Sequence, residues 1–321
     1  MRILVWHVHG AWTTSFVHTG HICLVPVTPG RDADGRGRAR TYPWPDNAVE
    51  VTPDELRESD VDVVLLQRPH ELELAEKWLG RRPGRDVPAV YVEHDTPRGP
   101  APDTRHPMAD QDAVPIAHVT PFNRVYWDNG RAPSTVVEHG VLDPGHRFTG
   151  ERASAGVVVN DPVRRGRLVG TDLLPEFARA APLEVFGMGV RGLGEHLALP
   201  ADRITEHDDL PQQRMHAELA RCRVYVHPFR WTSLGLALIE AMLLGLPVVA
   251  LDATEAGQAV PTGGGLTATR PELLTAAVRR YRADPELARR DGLTARAAAA
   301  ARYSLSRFRR DWDRLLEEVT R

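Results

Sequence analysis

The sequence predicts an α/β protein made of two Rossmann-like domains, each a doubly wound parallel sheet. Short apolar runs typical of buried strands alternate with segments of helical character along most of the chain. The 321 residues are sufficient for two such domains. Polar residues, glycines and prolines follow the predicted strands, and in open parallel sheets the carboxyl ends of the strands are where ligands bind.

Composition and charge indicate an ordinary globular protein. The chain is 42% hydrophobic and 26% charged, and its net charge of −3 gives no reason to expect a nucleic-acid partner. The two cysteines, Cys23 and Cys222, lie in apolar runs and are expected to be buried thiols. We find no signal peptide, because His7 and His9 interrupt the first apolar run, and no membrane-spanning run. A cytoplasmic enzyme is therefore expected, and its oligomeric state is left open.

The first half of the chain reads as alternating strands and helices. Strands are predicted over residues 2–7, 22–27, 61–66, 89–92, 115–119 and 135–138, with helices over about 70–79 and 122–129. Residues 29–45 are rich in Gly, Arg, Asp and Pro, so we interpret them as an exposed, solvated loop. His94 directly follows the fourth strand, in the sequence Glu93-His94-Asp95.

The second half continues the alternation. Strands are predicted over 155–160, 183–186, 224–227 and 246–251, and helices over about 172–181, 211–221, 235–244, 271–282, 285–301 and 305–320. The third of these helices is apolar on almost every side, which indicates that it is buried. Ser233 is placed to cap it, and Gly245 can take the left-handed conformation that ends it.

Glu240 is the only charge on that apolar helix. A buried carboxylate is unfavourable unless it accepts hydrogen bonds. The donor could be a nearby arginine or a backbone N–H, or it could be the hydroxyls of a ligand. From the residues alone, both explanations remain open.

The segment around Glu240 resembles the donor-site signature of glycosyltransferase family four, the retaining enzymes of the GT-B fold. The signature reads roughly E-G-F-G-L-x-x-L-E-A-M-A-x-G-x-P-V-V, and its order and spacing match over about 18 positions. The matching residues are Thr232-Ser233-Leu234-Gly235-Leu236, Ile239-Glu240-Ala241-Met242 and Gly245-Leu246-Pro247-Val248-Val249. The resemblance implies two Rossmann-like domains facing across a cleft. It assigns residues 1–143 to the acceptor side and 144–300 to the nucleotide-sugar donor, with a terminal helix in 301–321 that crosses back to the first domain.

The resemblance also implies roles for individual residues. Glu240 would hold the ribose hydroxyls of a sugar nucleotide. Thr232 stands where the family has a glutamate that contacts the transferred sugar, which is a departure from the pattern. The remaining residues expected to bind the donor are Ser233, Leu234, Gly235 and Leu236 at the helix start, and Gly187 in a turn that resembles the family's G-x-G.

A basic segment at 162–172 resembles, more loosely, the family's G-R-L-x-x-x-K-G-x-D element. Arg164 stands on the family arginine, Val169 stands where the lysine belongs, and Arg167 could supply the missing charge. Arg164 and Arg167 would stabilise the departing diphosphate. The alternative is a solvated basic loop. In the first domain, His94 would contact the transferred sugar, or it is a structural histidine beside two carboxylates.

Together these features predict a hexosyltransferase-like glycosyltransferase. It would move a sugar from a UDP, GDP or TDP sugar to an unidentified small-molecule or glycan acceptor, with retention at the anomeric carbon. No metal and no further cofactor is expected. Two alternatives remain: a nucleotide-binding accessory or regulatory protein without transferase activity, and a sugar-nucleotide epimerase or phosphorylase on the same fold.

Overall fold

The computed structural model describes all residues from Met1 to Arg321, and the chain forms two compact units. The first unit comprises Met1–Leu142 together with Leu305–Arg321, and the second comprises Asp143–Ser304. Each unit contains one parallel β-sheet, seven-stranded in the first and six-stranded in the second. The predicted α/β class is thus confirmed.

The first unit has a sheet of strand order β3-β2-β1-β4-β5-β6-β7. Its strands are β1 Arg2–Val5, β2 Ile22–Pro26, β3 Ala48–Val51, β4 Val63–Leu66, β5 Ala89–Glu93, β6 Ile116–His118 and β7 Ser134–Val136. Its helices are α1 Gly10–Val17, α2 Pro53–Arg57, α3 Glu71–Leu79, α4 Pro121–Tyr126 and the terminal helix Leu305–Val319. Because all strands are parallel, the residues that follow β1, β4 and β5 meet at one edge of the sheet.

The terminal helix Leu305–Val319 packs on α1. Its apolar residues Phe308, Trp312, Leu315 and Leu316 are buried, and the rest of the helix is largely polar. The Trp312 ring lies 5.8 Å from that of Trp12 and 5.3 Å from that of Phe16. His21 Nε2 is 2.9 Å from Asp313 Oδ1 at the edge of this contact. The helix therefore completes the core of the first unit.

Residues 28–47, which we call the strap, fold back against the first unit. The Arg38 guanidinium donates to the carbonyls of Trp44, Pro45 and Ala48. Trp44 is buried, and its Nε1–H donates to Thr14 Oγ1 at 2.8 Å. The expectation of an exposed loop over 29–45 agrees with its irregular backbone and many exposed residues, but the segment is also internally bonded and anchored to the rest of the unit.

The second unit has strand order β10-β9-β8-β11-β12-β13. Its strands are β8 Arg152–Val158, β9 Leu183–Gly187, β10 Ile204–Asp208, β11 Cys222–His227, β12 Val248–Leu251 and β13 Gly265–Ala268. Its helices are α5 Pro162–Arg165, α6 Leu174–Ala180, α7 Leu193–His196, α8 Gln212–Leu219, α9 Leu236–Leu244, α10 Ala256–Ala259, α11 Pro271–Ala283 and α12 Pro285–Arg302. Short 3₁₀ turns at Gly166–Val169 and Thr171–Leu173 separate α5 from α6.

Helix α9 is the buried helix predicted from the sequence. All residues from Leu238 to Leu244 are buried, and Gly245 ends the helix with φ of +96° in the left-handed region. Strands β3, β10 and β13 were not predicted from the sequence; all three are edge strands, and most of their side chains are at least partly exposed. None of the helices combines the length and apolar character needed to span a membrane.

Candidate functional site

The basic segment of the second unit follows strand β8, and its arginines are ion-paired. Arg164 Nη2 is 2.6 Å from Asp161 Oδ2, and Arg167 Nη1 is 2.7 Å from Asp172 Oδ2. Both arginine side chains remain about three-quarters exposed, at 73% and 75%. Both side chains can thus reach a ligand, although each one is paired with a different carboxylate.

Arg230 joins this segment from the loop between β11 and α9. It pairs with Asp172 through two bonds, Nη1 to Oδ1 at 2.6 Å and Nη2 to Oδ2 at 3.0 Å. Burial by itself raises the pKa of Asp172, but the hydrogen bond and charge of Arg230, with Arg167, lower the pKa below its usual value. Arg230 was not predicted from the sequence, because its partner Asp172 lies 58 residues earlier in the chain.

Val169 is buried in the second unit. The family lysine position is thus occupied by an apolar core residue, and no cation stands there. The following residue, Gly170, has φ of +75°, and a Cβ atom would lie 2.1 Å from the carbonyl oxygen of Pro228. The basic segment therefore packs backbone to backbone against the end of β11.

The residues that precede α9 are arranged differently from the sequence prediction. Gly235, and not Ser233, is the N-cap residue, so the predicted cap position of Ser233 is wrong. Ser233 and Leu234 are buried, while Thr232 and Leu236 are half-buried. A Cβ atom on Gly235 would lie 2.6 Å from Cε1 of His227, so this glycine is required by packing against the imidazole.

The start of α9 has the features of an anion site. Its first turn contains no acidic residue. The first N–H groups of a helix lack intrahelical partners and lie at the positive end of the helix dipole. Such a helix end favours the approach of a phosphate group.

Glu240 is buried and has protein partners on α8. Gln212 Nε2 donates to Glu240 Oε1 at 2.9 Å. His216 Nε2 lies 3.2 Å from Glu240 Oε2, but this imidazole nitrogen is buried without a hydrogen-bonded partner. Neither the arginine nor the backbone N–H considered from the sequence is present; an amide and an imidazole take that place. With one hydrogen bond described, the carboxylate keeps capacity to accept more.

The turn after β9 lies beside the end of β8. Gly187 has φ of +139°, and a Cβ atom would lie 2.0 Å from the carbonyl oxygen of Val159. Met188 N–H donates to Asn160 Oδ1 at 2.9 Å, which fixes the turn to the neighbouring strand end. Gly187 thus has a backbone role that only glycine fills.

The first unit contains a separate cluster of histidines. His94 Nε2 lies 3.1 Å from Gln67 Oε1, and the His94 ring is 4.1 Å from that of His9 and 5.0 Å from that of Trp12. Burial, followed by the charges of His9 and His139, lowers the pKa of His94 well below its usual value. His94 is therefore a neutral imidazole at pH 7.

Glu93, which precedes His94, is committed to a local bond network. Its Oε2 lies 3.0 Å from His106 Nε2, and its Oε1 accepts from Asp95 N–H at 2.6 Å. His106 Nδ1 in turn accepts from Met108 N–H at 3.0 Å, which places the imidazole proton on Nε2. Glu93 therefore shapes the turn that carries His94. His106 gave no sequence signal, because it lies in an irregular segment.

The predicted residues thus fall into two groups. The second unit contains the expected donor-binding residues and both arginines, while the first unit contains His94. The structure adds four residues to the group in the second unit: Arg230, Asp172, Gln212 and His216. It adds two residues to the group in the first unit: Gln67 and His106. No group of three His, Cys, Asp or Glu side chains is placed to hold a metal ion.

Solved structures define the fold class. Sucrose-phosphate synthase from Thermosynechococcus elongatus matches with a TM-score of 0.72 and 15% identity, over 99% of this chain and 98% of that one. Anabaena HepE in complex with UDP matches with a TM-score of 0.71 and 16% identity, over 99% and 100%. The fold is thus the GT-B fold of glycosyltransferases, as expected from the sequence.

Two further comparisons add to this. S. aureus TarM matches with a TM-score of 0.64 and 14% identity over 79% of this chain, which spans 55% of the TarM chain. The sequence model of one family, described as Glycosyl transferases group 1, matches residues 171–284, about a third of the chain. No curated protein matches. The sequence similarity therefore lies in the unit that contains Glu240 and Arg230.

Proposed function

We propose that the protein is a glycosyltransferase that uses a nucleoside diphosphate sugar as donor and binds the nucleotide in its second unit. The observation that carries this proposal is Glu240, a carboxylate held inside an apolar helix with accepting capacity to spare. It lies within residues 171–284, the part that resembles glycosyl transferases in sequence. Ribose hydroxyls are the donors that would use this capacity.

The donor phosphates would bind at the start of α9. This end of the helix is formed by Gly235 and Leu236 together with the buried residues Ser233 and Leu234, and the Gly187 turn would lie towards the nucleotide. Arg164 and Arg167 would approach the diphosphate from the basic segment. Their exposed guanidinium groups are suited to charge-assisted, paired hydrogen bonds with phosphate oxygens.

The proposed reaction is a transfer with retention at the anomeric carbon. The acceptor hydroxyl attacks from the face that the leaving group departs from, and its proton passes to the departing phosphate oxygen. As the bond from the anomeric carbon to that oxygen breaks, the nucleoside diphosphate takes the electron pair. Arg164 and Arg167 stabilise this charge, which makes them electrostatic catalysts and not bases.

His94 would contact the transferred sugar. Because its pKa is well below the usual value, it acts as a neutral hydrogen-bonding group and not as a general acid. Thr232 is half-buried, and its hydroxyl would replace the sugar-contacting glutamate of the family. The donor sugar would then be held more by backbone N–H groups.

UDP is the first nucleotide to test. Solved structures of similar fold include HepE with UDP and with UDP-glucose, and TarM with UDP. The sequence itself leaves UDP, GDP and TDP sugars open, and the cytoplasmic location stays a prediction. The acceptor is a small molecule or a glycan.

A nucleotide-binding protein without transferase activity is the second candidate. Val169 is buried where the family has a lysine, and Thr232 replaces the sugar-contacting glutamate. If these two departures remove catalysis, binding would remain without turnover.

The experiment that tests the proposal has two stages. A thermal-shift panel of UDP, GDP, TDP and their common sugars identifies the nucleotide, because a ligand that binds the folded state raises its stability by RT ln(1 + [L]/Kd). Hydrolysis and transfer are then measured with the selected sugar nucleotide. Binding with turnover supports a transferase, binding alone supports the second candidate, and no binding by any nucleotide rejects both.

A further inference from the structure

The second unit lacks the cation expected at position 169, and it contains no lysine. Val169 is buried, and the only lysine in the sequence is Lys77, on α3 of the first unit. Any permanent positive charge that the second unit itself supplies near the start of α9 must therefore come from arginine. Besides Arg164 and Arg167, the loop that enters α9 contains Arg230.

Arg230 is held so that one edge of its guanidinium group stays unused. Nη1 donates to Asp172 Oδ1 at 2.6 Å and to the carbonyl of Arg167 at 2.8 Å, and Nη2 donates to Asp172 Oδ2 at 3.0 Å. These bonds use three of the five N–H groups of the side chain. The Nε–H and the second Nη2–H remain, and together they form the planar edge that suits two oxygens of a phosphate.

The charges around Asp172 leave an excess of positive charge. Asp172 pairs with both Arg167 and Arg230, so two cations share one carboxylate. The lowered pKa of Asp172 keeps this carboxylate ionised at neutral pH. The group of three side chains therefore has a net charge of about +1, which favours an anionic ligand.

The backbone fixes Arg230 before any ligand arrives. The N–H groups of Arg230 and Trp231 both lie against the carbonyl of Leu168, at 3.0 and 3.3 Å. Gly170 permits the close approach of Pro228 on the same side. The loop that enters α9 is therefore bound to the basic segment, and an arginine held in this way loses little conformational freedom on binding.

We propose that Arg230 binds the diphosphate of the sugar-nucleotide donor through its unused edge, and that Asp172 is the positioning residue that orients it. The inference rests on the proposed function and extends it. It places a further cation of the diphosphate site on the loop before α9, whereas position 169 supplies none. Arg230 would thus stabilise the departing diphosphate together with Arg164 and Arg167.

The test compares Arg230→Gln, Arg230→Lys and Asp172→Asn with wild type. Arg289→Gln, at an exposed arginine of α12, is the matched control. Calorimetry measures affinity for the nucleoside diphosphate selected by the thermal-shift panel, for the corresponding monophosphate and for inorganic pyrophosphate. Turnover with the selected sugar nucleotide is measured alongside.

Arg230→Gln is expected to weaken diphosphate and pyrophosphate binding about 10-fold to 100-fold, with a much smaller loss for the monophosphate. The diphosphate affinity of Arg230→Lys should lie between those of wild type and Arg230→Gln, because lysine keeps the charge but lacks the planar edge. Asp172→Asn discriminates further. If Asp172 only neutralised Arg167 and Arg230, removing its negative charge would tighten diphosphate binding. If Asp172 orients Arg230, the same variant would weaken diphosphate binding. We expect weakening.

Equal losses for mono- and diphosphate, or diphosphate affinity of Arg230→Gln within about twofold of the control variant, would overturn the inference. So would tighter diphosphate binding by Asp172→Asn. In these cases wild type still binds the diphosphate, and the proposed function stands. If wild type binds no nucleoside diphosphate, the proposed function itself fails, and the two failures are distinct.

Discussion

At the scale of single residues, Glu240 shows what local sequence can and cannot predict. A lone charge on an apolar helix is visible in the sequence, and burial of that helix follows from its pattern. Its partners Gln212 and His216 could not be predicted, because they lie on another helix and sequence spacing does not indicate that α8 packs against α9. Arg230 was missed for the same reason.

Glu240→Gln should weaken binding of the selected nucleoside diphosphate by about 1.5–3 kcal/mol, the worth of hydrogen bonds to a charged group. The reason is that the carboxylate would accept ribose hydroxyls, while an amide accepts with one atom only. Glu218→Gln on α8 is the control, because that carboxylate is ion-paired with Arg152. Calorimetry measures the affinities, and unchanged affinity in Glu240→Gln would contradict the ribose assignment.

Thr232→Glu should change the ranking of donor sugars without abolishing nucleotide binding. Threonine is short and both donates and accepts, whereas glutamate reaches further and only accepts. A site that recognises a hydroxyl discriminates strongly against sugars that lack it. The measurement is a donor panel on wild type, Thr232→Glu and the exposed-site control Thr262→Glu. An identical ranking in all three would show that Thr232 does not face the sugar.

At the scale of elements, packing explains both the successes and the failures of prediction. The buried strands and α9 were predicted because their apolar runs are continuous. The strap was predicted only as an exposed loop, because Gly, Arg and Pro residues are typical of such loops and do not indicate its anchors. Its anchors are Arg38, which bonds to carbonyls, and Trp44, which bonds to Thr14, and neither contact follows a sequence period.

Gly170→Ala tests the contact between the basic segment and the end of β11. The left-handed conformation is about 1–2 kcal/mol less favourable for alanine than for glycine. It would also place Cβ 2.1 Å from the carbonyl oxygen of Pro228, which forces the backbone to move. Gly192→Ala is the matched control, since its φ of +80° is similar and nothing lies within 4 Å.

Gly170→Ala should lower the free energy of unfolding by about 1–3 kcal/mol more than Gly192→Ala does. Urea unfolding measures both values. Diphosphate affinity should fall in Gly170→Ala alone. Equal destabilisation of the two variants would mean that the close approach of Gly170 to Pro228 does not constrain the basic segment.

At the scale of the whole molecule, both units contain histidines that are buried in the neutral form. Burial lowers the pKa of His139 and of His227 to about 3 each. It lowers the pKa of His118 to about 4, although the bond to Asn129 acts in the opposite sense. In the unfolded chain these groups titrate near the ordinary value of about 6.5. Below that pH the unfolded chain binds protons that the folded chain does not.

The free energy of unfolding should therefore fall as the pH drops from about 6.5 towards 4, by about 1.4 kcal/mol per pH unit for each such histidine. His118→Asn should remove one such contribution, so its plot of unfolding free energy against pH should be flatter than that of wild type. His196→Asn, at an exposed histidine, is the control. Urea unfolding at several pH values gives the slopes, and parallel plots for His118→Asn and wild type would contradict the prediction.

The position of the terminal helix has a consequence for the order in which the protein is made. The ribosome finishes every residue of the second unit before it reaches Leu305. The first unit, although translated first, leaves Trp12 and Phe16 without Trp312 until residues 305–319 have been synthesised. The unit whose strands are translated earlier is therefore the unit that completes its core later.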